Sequence, residues 1–325
     1  MDVLSDAITA MRTGRPHAGH HRRAAPWGVR FPAGDGVGFH AVLDGEAWLH
    51  PPGDTAPVRM TAGDLVLLPH GTSYGIADAP GRTLRPAVLD PDGRLRPQPP
   101  QAGPGTAASS SMLCGAYLLN QARPHPLLTE LPPQLHLTTG DGRHPRLRTV
   151  TDLLADELTD RQPGTDAVLP ALLDTLLLHV LRAWYAEQAD AERPGSGWAH
   201  ALRDRTISTA LHAIHDDPAH PWTVEELGAR AGLSRAAFAR RFTTLVGRPP
   251  LAYLTWWRMT TAGRLLRESD APLRTIAQRT GYLSEFAFAK AFKREYGVSP
   301  GRYRSAVHLE GRTGRRTALP ARTGG

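Results

Sequence analysis

The chain has little cysteine, little lysine and no long apolar run. Its 325 residues include one cysteine, Cys114, which excludes an intrachain disulfide framework and indicates a reducing compartment. No apolar run approaches the roughly 18 residues of a membrane span, and no signal-peptide pattern opens the chain. We therefore expect a soluble, cytoplasmic protein of two or three domains without a membrane partner.

Positive charge is distributed unevenly along the chain. The net charge is +7, and lysine is limited to Lys290 and Lys293. Residues 198–304 hold 17 basic and 9 acidic side chains, whereas residues 1–197 hold 17 basic and 21 acidic ones. A basic carboxy-terminal third beside an acidic amino-terminal part predicts that one end of the chain binds a polyanion.

The carboxy-terminal third contains one helical pattern twice. Six residues recur after fifty positions, with Ser234, Phe238, Phe242, Gly247, Pro250 and Tyr253 matching Ser284, Phe288, Phe292, Gly297, Pro300 and Tyr303. Each copy predicts a short helix, a glycine-containing turn and a second helix capped by serine, which is the pattern of a helix-turn-helix. The second copy has one extra residue in its turn. The alternative is a pair of helical hairpins with a solvated basic face, which the clustered charge disfavours.

A helix-turn-helix binds DNA by placing its second helix in the major groove. In the first copy, the face opposite the phenylalanines carries Arg235, Ala236, Ala239, Arg240 and Thr243. The corresponding part of the second copy carries Glu285, Phe286, Lys290, Lys293 and Arg294. We expect Arg240 to contact guanine, Glu285 to accept from cytosine or cap its own helix, and the second copy's basic residues to contact phosphates.

The amino-terminal part has a different pattern. Residues 1–15 predict a short amphipathic helix, and the histidine-rich residues after them are interpreted as a solvated loop. From Pro26 to about Leu137, short strands alternate with turns, and Asp44-Gly45 and Pro52-Gly53 predict hairpins of a small antiparallel barrel or sandwich. Two helices follow, near residues 147–161 and 166–189. The second is apolar on more than one face, which favours a dimer interface over packing on the barrel alone.

This strand region resembles a cupin barrel. Gly34, His40, Glu46 and Gly53 match the first cupin motif, and Gly63, Pro69 and Gly71 match the second. Two of the four usual metal-ligand positions hold Val42 and Tyr74, and the evident substitute ligands are His50 and His70. We therefore expect neither a metal nor another cofactor. We expect that the barrel mouth binds a small effector through His40, Glu46 and Tyr74; the alternative is that His40 and Tyr74 are satisfied within the barrel.

The runs WTVEELGARAGLSRAAFARRF and GYLSEFAFAKAFKREYGVSPGRYR resemble the AraC family of bacterial transcription regulators. The resemblance, over residues 1–305, implies an α+β multidomain protein that binds promoter DNA as a homodimer, responds to an unidentified small-molecule effector or reactive species and contacts RNA polymerase. The expected domains are a cupin-like antiparallel β-barrel (1–140), a helical connector for dimerisation (141–194), an all-α domain with two helix-turn-helix motifs (195–305) and a basic disordered tail (306–325). The alternatives are a metal-dependent cupin enzyme with a helical appendage and a redox sensor that acts through Cys114.

Overall fold

The structure, a computed structural model, divides the chain into two compact units. It describes residues 2–34, 36–53, 55–90, 93–98, 109–119, 124–140, 142–190 and 197–306. The strand unit consists of Arg12–Arg193, and the helical unit consists of Met1–Met11 with Pro194–Gly325. The expected disordered tail, apart from Ala306, lies outside the described residues.

Ten strands of the described part form two five-stranded sheets in the strand unit. They are β1 (His17–Ala24), β2 (Gly28–Phe31), β3 (Gly36–Asp44), β4 (Glu46–His50), β5 (Val58–Thr61), β6 (Asp64–Leu68), β7 (Tyr74–Ala77), β8 (Arg85–Pro86), β9 (Ser109–Leu118) and β10 (Leu135–Thr138). One sheet has the order β1-β9-β3-β6-β10, and the other has the order β5-β4-β7-β2-β8. Neighbouring strands are antiparallel except for β2 and β8.

The two sheets do not join into the closed barrel that the sequence predicts. No described strand of one sheet is hydrogen-bonded to a strand of the other. The predicted hairpin at Asp44-Gly45 instead connects β3 in one sheet to β4 in the other. Gly45 has φ 75°, and a Cβ there would lie 2.4 Å from the Ser109 carbonyl oxygen, so this crossing requires glycine. Pro52-Gly53 does connect the paired strands β4 and β5, as predicted.

The histidine-rich segment that the sequence predicts as a loop is strand β1. It pairs with β9 along its whole length, from His17 opposite Ala116 to Ala24 opposite Ser109. His20 is held on the outer side of this sheet, because its two ring nitrogens bond to the hydroxyls of Thr159 and Ser111 at 2.8 and 2.7 Å. The prediction failed because β1 consists of polar and small residues and lacks the alternating apolar residues that usually indicate a strand.

Helices complete the strand unit. They are α2 (Pro126–Thr129), α3 (Pro145–Thr159) and α4 (Thr165–Asp190), and the last two agree with the predicted pair. The leucines of one α4 face are buried, and the Tyr117 hydroxyl donates a hydrogen bond of 2.8 Å to the Leu173 carbonyl on this helix. Between Thr165 and Gln188, α4 is the one described helix whose length and composition would allow it to cross a membrane. Core helices of soluble proteins meet the same criterion.

In the described part of the chain, the helical unit contains eight helices between residues 3 and 296. They are α1 (Val3–Met11), α5 (Trp198–Arg203), α6 (Arg205–Asp216), α7 (Val224–Arg230), α8 (Arg235–Val246), α9 (Pro250–Glu268), α10 (Leu273–Arg279) and α11 (Glu285–Tyr296). Residues 300–306 are helical as well. The core is aromatic, because Phe238 and Phe242 on α8 and Phe288 and Phe292 on α11 are all completely buried.

The sequence repeat corresponds to two helix pairs, α7 with α8 and α10 with α11. Ser234 and Ser284 cap the second helix of each pair by accepting from the backbone amides of Ala237 and Ala287. Both of these helices end at a glycine in the left-handed conformation. Four residues connect the first pair and five connect the second, so the additional turn residue read from the sequence is present.

The amino-terminal helix α1 packs within the helical unit, although the sequence-based boundary assigns it to the cupin-like domain. It contacts α6 and α9, and its apolar side chains, including Ile8, are buried. Two polar contacts accompany this packing. The Asp6 carboxylate lies 3.4 Å from His215 Nδ1, and the Arg267 guanidinium donates to the Ala10 carbonyl at 3.0 Å.

Truncation of a buried α1 side chain should therefore destabilise α6 and α9. We expect Ile8→Ala to lower the free energy of unfolding by about 2 to 4 kcal/mol, because it removes a buried branched side chain and leaves a cavity. Hydrogen exchange in the full chain measures this as faster exchange of the α6 and α9 amides. The matched control is Thr9→Ala on the exposed side of α1. Equal protection of α6 and α9 in the two variants would contradict this role of α1.

Candidate functional site

The outer face of α8 is positioned by the phenylalanines on its inner face. A helix advances about 100° per residue, so burial of Phe238 and Phe242 turns the residues between and beside them outward. The predicted contact residues Arg235, Ala236, Arg240 and Thr243 are exposed, and Ala239 is partly buried. The Thr243 hydroxyl donates to the Ala239 carbonyl at 2.8 Å, which leaves only its acceptor capacity for a partner.

The outer face of α11 has a different chemistry in the same positions. The predicted residues Glu285, Phe286, Lys290, Lys293 and Arg294 are all exposed. At the positions where α8 has Ala236, Arg240 and Thr243, α11 has Phe286, Lys290 and Lys293, fifty residues later. The Phe286 side chain is 81% exposed, which is unusual for a phenylalanine. The two faces therefore match in position and differ in shape and charge.

Leu283 is a surface residue at this site that the sequence analysis missed. It lies in the turn before α11, directly before the capping Ser284, and its side chain is fully exposed. Its counterpart in the first copy, Leu233, is partly buried. No local signal in the sequence separates the two leucines, since each directly precedes a capping serine.

Arg258 connects the two helix pairs. This α9 residue donates from Nε to the Pro218 carbonyl at 2.6 Å and from Nη2 to the His220 carbonyl at 2.8 Å, in the segment before α7. The same guanidinium lies against Gly281 in the turn of the second pair, where a Cβ would be 2.7 Å from Arg258 Nη2. Gly281 has φ 77° and no side chain, so the turn can approach this arginine closely. Arg258 therefore fixes the spacing of the two pairs.

Arg241 is exposed, but its guanidinium is engaged in an ion pair with Asp204. Its Nε donates to the Asp204 carboxylate at 2.8 Å, and Asp204 also caps α6 by accepting from the amides of Thr206 and Ile207. Burial acts to raise the pKa of Asp204, but these hydrogen bonds and the Arg241 charge lower it below its usual value. Arg241 thus supports the helix that packs behind α8.

The strand unit contains a cavity of about 410 Å³ between its two sheets. The inward side chains of three adjacent strands are small at one end, where Gly19, Cys114, Ala116, Gly38 and Gly36 line the space. At the other end of β3 and β9, the inward side chains of Val42 and Met112 are large and buried, and they fill the interior. The gradient from small to large side chains along the strands creates the cavity.

His40 and Tyr74 form a hydrogen-bonded pair in the cavity wall. The Tyr74 hydroxyl lies 2.8 Å from His40 Nε2, and both side chains are buried. Gly38 makes this contact possible, because a Cβ there would lie 2.6 Å from the Tyr74 hydroxyl oxygen. His40 Nδ1 is also buried and has no hydrogen-bond partner among the described residues. The alternative expectation is that His40 and Tyr74 are satisfied within the barrel; in the described structure one ring nitrogen of His40 has a partner and the other has none.

Four titratable groups that line the cavity, those of His21, His40, Tyr74 and Cys114, are neutral at physiological pH. Burial lowers the pKa of His40 to about 3 and that of His21 to about 4. Burial also raises the pKa of Tyr74 above its usual value and raises the pKa of the Cys114 thiol to about 12. A redox sensor needs a thiolate at neutral pH, so the Cys114 hypothesis has no support from this environment.

Glu46, the third residue predicted for the effector pocket, lies elsewhere. It does not line the cavity, and its carboxylate accepts a hydrogen bond of 2.9 Å from Arg59 Nε on the neighbouring strand β5. In β4 the inward positions belong to Ala47 and Leu49, which are completely buried. Among the described residues there is no cluster of three or more histidine, cysteine, aspartate or glutamate side chains that would hold a metal ion.

Comparison with known proteins matches two parts of the chain to two domain families. Residues 2–186 match the cupin family, and residues 227–306 match a helix-turn-helix domain family. A putative AraC-like transcription regulator of Streptomyces antibioticus is 34% identical over 94% of this chain and 98% of that protein. The HTH-type transcriptional regulator AlkR of Acinetobacter baylyi is 30% identical over 94% of this chain and 99% of that protein.

Solved structures similar to this chain include a DNA-bound domain. The DNA-binding domain of AdpA in complex with a target DNA is 35% identical and covers 36% of this chain and 99% of that chain, with a TM-score of 0.31.

The neutral state of His40 should make the strand unit sensitive to acid. A histidine whose pKa is about 3 when folded and 6.5 when unfolded stabilises the fold above pH 6.5, and this stabilisation is lost progressively as the pH falls towards 3. Native-state hydrogen exchange of β3 and β9 measures the dependence. We expect His40→Gln to reduce its slope between pH 6 and 4 by up to about 1.4 kcal/mol per pH unit. Parallel slopes for the two proteins would contradict the assignment.

Proposed function

This chain belongs to the AraC family of DNA-binding transcriptional regulators with an amino-terminal cupin domain. From this premise we propose a separate role for each of its two units. The helical unit reads promoter DNA through both α8 and α11. The cavity of the strand unit binds a small-molecule effector that controls transcription. The observation that carries the DNA-binding part is the pair of serine-capped helices with exposed, positionally matched and largely basic outer faces.

The protein is not an enzyme. Its full-length relatives are named as transcription regulators, which makes the alternative of a metal-dependent cupin enzyme wrong.

Both helix pairs are proposed as helix-turn-helix motifs that enter successive major grooves on one side of the duplex. Recognition elements that do so are about 34 Å apart, which is one turn of DNA. The connecting helix α9 has 19 residues and is therefore about 28 Å long. The contacts of Arg258 with the segment before α7 and with the turn at Gly281 support a fixed spacing between the two readers.

The two readers are proposed to recognise different bases. On α8, the long Arg240 side chain offers two N–H donors that fit the acceptors of guanine. Ala236 and Ala239 offer only apolar contact, for example with a thymine methyl group. On α11, Phe286 fits a thymine methyl group and Glu285 accepts from cytosine. The remaining predicted residues, Arg235, Thr243, Lys290, Lys293 and Arg294, are proposed to bind the phosphate backbone. Each subunit then recognises a non-palindromic site.

The effector is proposed to bind in the cavity through His40 and Tyr74. The cavity volume lies within the range of about 300 to 1,000 Å³ that is typical of small-molecule sites, and its walls are mainly apolar with few polar groups. Glu46 is not part of this proposal, because its side chain pairs with Arg59 outside the cavity.

The protein is further proposed to act in the cytoplasm as a homodimer that contacts RNA polymerase. The functional domains follow the predicted order of a cupin-like effector domain, a helical connector and a DNA-binding domain. The dimer proposal rests on α4, which exposes part of its apolar surface: Val168 is 42% exposed and Leu172 is partly exposed one turn later. A second copy of the same helix would cover these side chains with apolar surface of the same kind.

A charge placed on this face of α4 should dissociate the dimer. We expect Val168→Arg to shift the full-length protein from dimer to monomer, because the guanidinium would lose its hydration in an apolar interface. Light scattering after gel filtration gives the molecular mass. A variant that elutes with the mass of the unchanged dimer would remove α4 from the interface.

Removal of Arg240 should reduce sequence discrimination. With an operator obtained by selection from random duplexes, we expect Arg240→Ala to lower the preference for operator over random DNA by about 1 to 3 kcal/mol. Competition binding assays at constant salt measure this ratio.

The matched control is Arg241→Ala, which removes the same charge from the same helix. Because Arg241 binds Asp204, its loss should leave the ratio of operator to random binding unchanged. If Arg240→Ala also left this ratio unchanged, Arg240 would not be a base reader.

A further inference from the structure

We propose that the effector is an uncharged, mainly apolar molecule with on the order of ten non-hydrogen atoms, held by one polar group that hydrogen bonds to the His40–Tyr74 pair. The inference rests on the proposed function of the cavity as the effector site. It adds the chemical class of the ligand, which follows from the size, the walls, the charge and the polar groups of the cavity.

The size of the cavity sets the upper limit for the ligand. Its volume of about 410 Å³ corresponds to the liquid volume of roughly 14 water molecules at about 30 Å³ each. The small inward residues of β1, β3 and β9 enclose this space, and Ala116 lies at its centre between His17 and Gly38 in the strand register. A molecule with one ring and a short substituent fits this volume.

The walls favour an apolar and planar molecule. Phe31 stacks on Tyr74 with a centroid distance of 4.9 Å and approaches His40 at 5.1 Å, so three rings meet at one side of the cavity. Leu68, Leu89, Leu95 and Leu118 contribute aliphatic surface. Aromatic rings that are already offset-stacked or tilted offer further faces and edges to a ring of the ligand.

The absence of compensating charge disfavours an ionic ligand. Arg94 is the one side chain with a permanent charge among the described lining residues, and it is exposed. No carboxylate is found among the described residues that line the cavity, and the pKa values of His21 and His40 keep both imidazoles neutral. An ion transferred from water to such a site loses hydration that the walls do not replace.

The polar pair is incomplete and therefore selects for a hydrogen-bonding group. If the Tyr74 hydroxyl donates to His40 Nε2, then His40 Nδ1 carries a proton and needs an acceptor. In the other tautomer Nδ1 needs a donor, and the Tyr74 hydroxyl proton is available to the ligand. The first arrangement leaves one buried polar group without a partner in the described structure, and the second leaves two. A hydroxyl group on the ligand can satisfy both arrangements.

We expect the ligand to bind without a covalent bond to the thiol in the cavity wall. Cys114 lies opposite His40 in the strand register and lines the cavity. Burial raises the pKa of its thiol to about 12, and the thiolate is the form that attacks electrophiles. Binding should therefore be reversible, and a reactive species is not the expected effector.

Four probes with one carbon scaffold test the ligand class. They are 2-phenylethanol, which is neutral and polar; ethylbenzene, which is neutral and apolar; phenylacetate, an anion; and 2-phenylethylammonium, a cation. Binding to the full chain is measured at neutral pH by ligand-observed NMR titration up to about 1 mM, and by the rise in the melting temperature. We expect 2-phenylethanol to bind more tightly than each of the other three.

Two variants locate the binding. Tyr74→Phe should weaken 2-phenylethanol binding by about threefold to tenfold, the effect of one hydrogen bond, and should leave ethylbenzene binding unchanged. Ala116→Leu adds a branched side chain at the centre of the cavity and should abolish binding of all four probes. Circular dichroism and melting of each variant without probe show whether it is folded. If Ala116→Leu does not fold, Gly36→Ala, whose added Cβ would meet the Ala116 side chain at 3.5 Å, replaces it and should weaken all binding.

The outcomes separate the ligand class from the proposed function. Tighter binding of phenylacetate or 2-phenylethylammonium, or no binding of any probe, would overturn the uncharged class. Equal binding of ethylbenzene and 2-phenylethanol would overturn the role of the polar pair. None of these results would exclude the cavity as the effector site. Probe binding that survives in a folded Ala116→Leu variant would instead show that small molecules bind elsewhere, and would overturn the cavity as the effector site.

Discussion

The contacts of Arg258 are the constraint on which the proposed DNA-reading geometry depends. One guanidinium on α9 holds two backbone carbonyls before the first helix pair and lies against Gly281 in the turn of the second. Each reading helix is in turn oriented by two buried phenylalanines, whose ring centroids are 5.5 Å apart in α8 and 5.8 Å apart in α11. Together these contacts fix which side chains face outward and how far apart the two faces lie. The identity of the outward residues is then free to differ between the copies.

In the strand unit too, the regular backbone determines the direction of each side chain. The size of the inward side chains determines where a cavity remains. Alternation along β1, β9 and β3 places every second residue in the interior. Where these residues are glycine, alanine and cysteine, a cavity remains; where they are methionine and valine, the interior is filled. The buried His40–Tyr74 pair lies in the open part, where Gly38 leaves room for the tyrosine hydroxyl.

The sequence predicted what local patterns determine and missed what long-range contacts determine. Serine caps, terminal glycines and phenylalanine spacing are local signals, and they located both helix pairs and the longer second turn. The packing of α1 in the helical unit depends on contacts such as Asp6 with His215, more than 200 residues apart, which no local pattern shows. Motif spacing suggested Glu46 for the cavity, but strand alternation places Ala47 and Leu49 inside. The exposure of Leu283 depends on the geometry of the turn before α11, which the sequence does not show.

Two unequal readers at a fixed spacing are the central claim, and the spacing of the operator tests it most directly. The measurement is the affinity of the protein for its selected operator with one base pair inserted between the two recognised elements. Such an insertion moves one element by about 3.4 Å and rotates it by about 34° relative to the other. We expect a loss of affinity of at least about tenfold. Unchanged affinity would contradict the claim, because the two helix pairs would then move independently or only one of them would read the DNA.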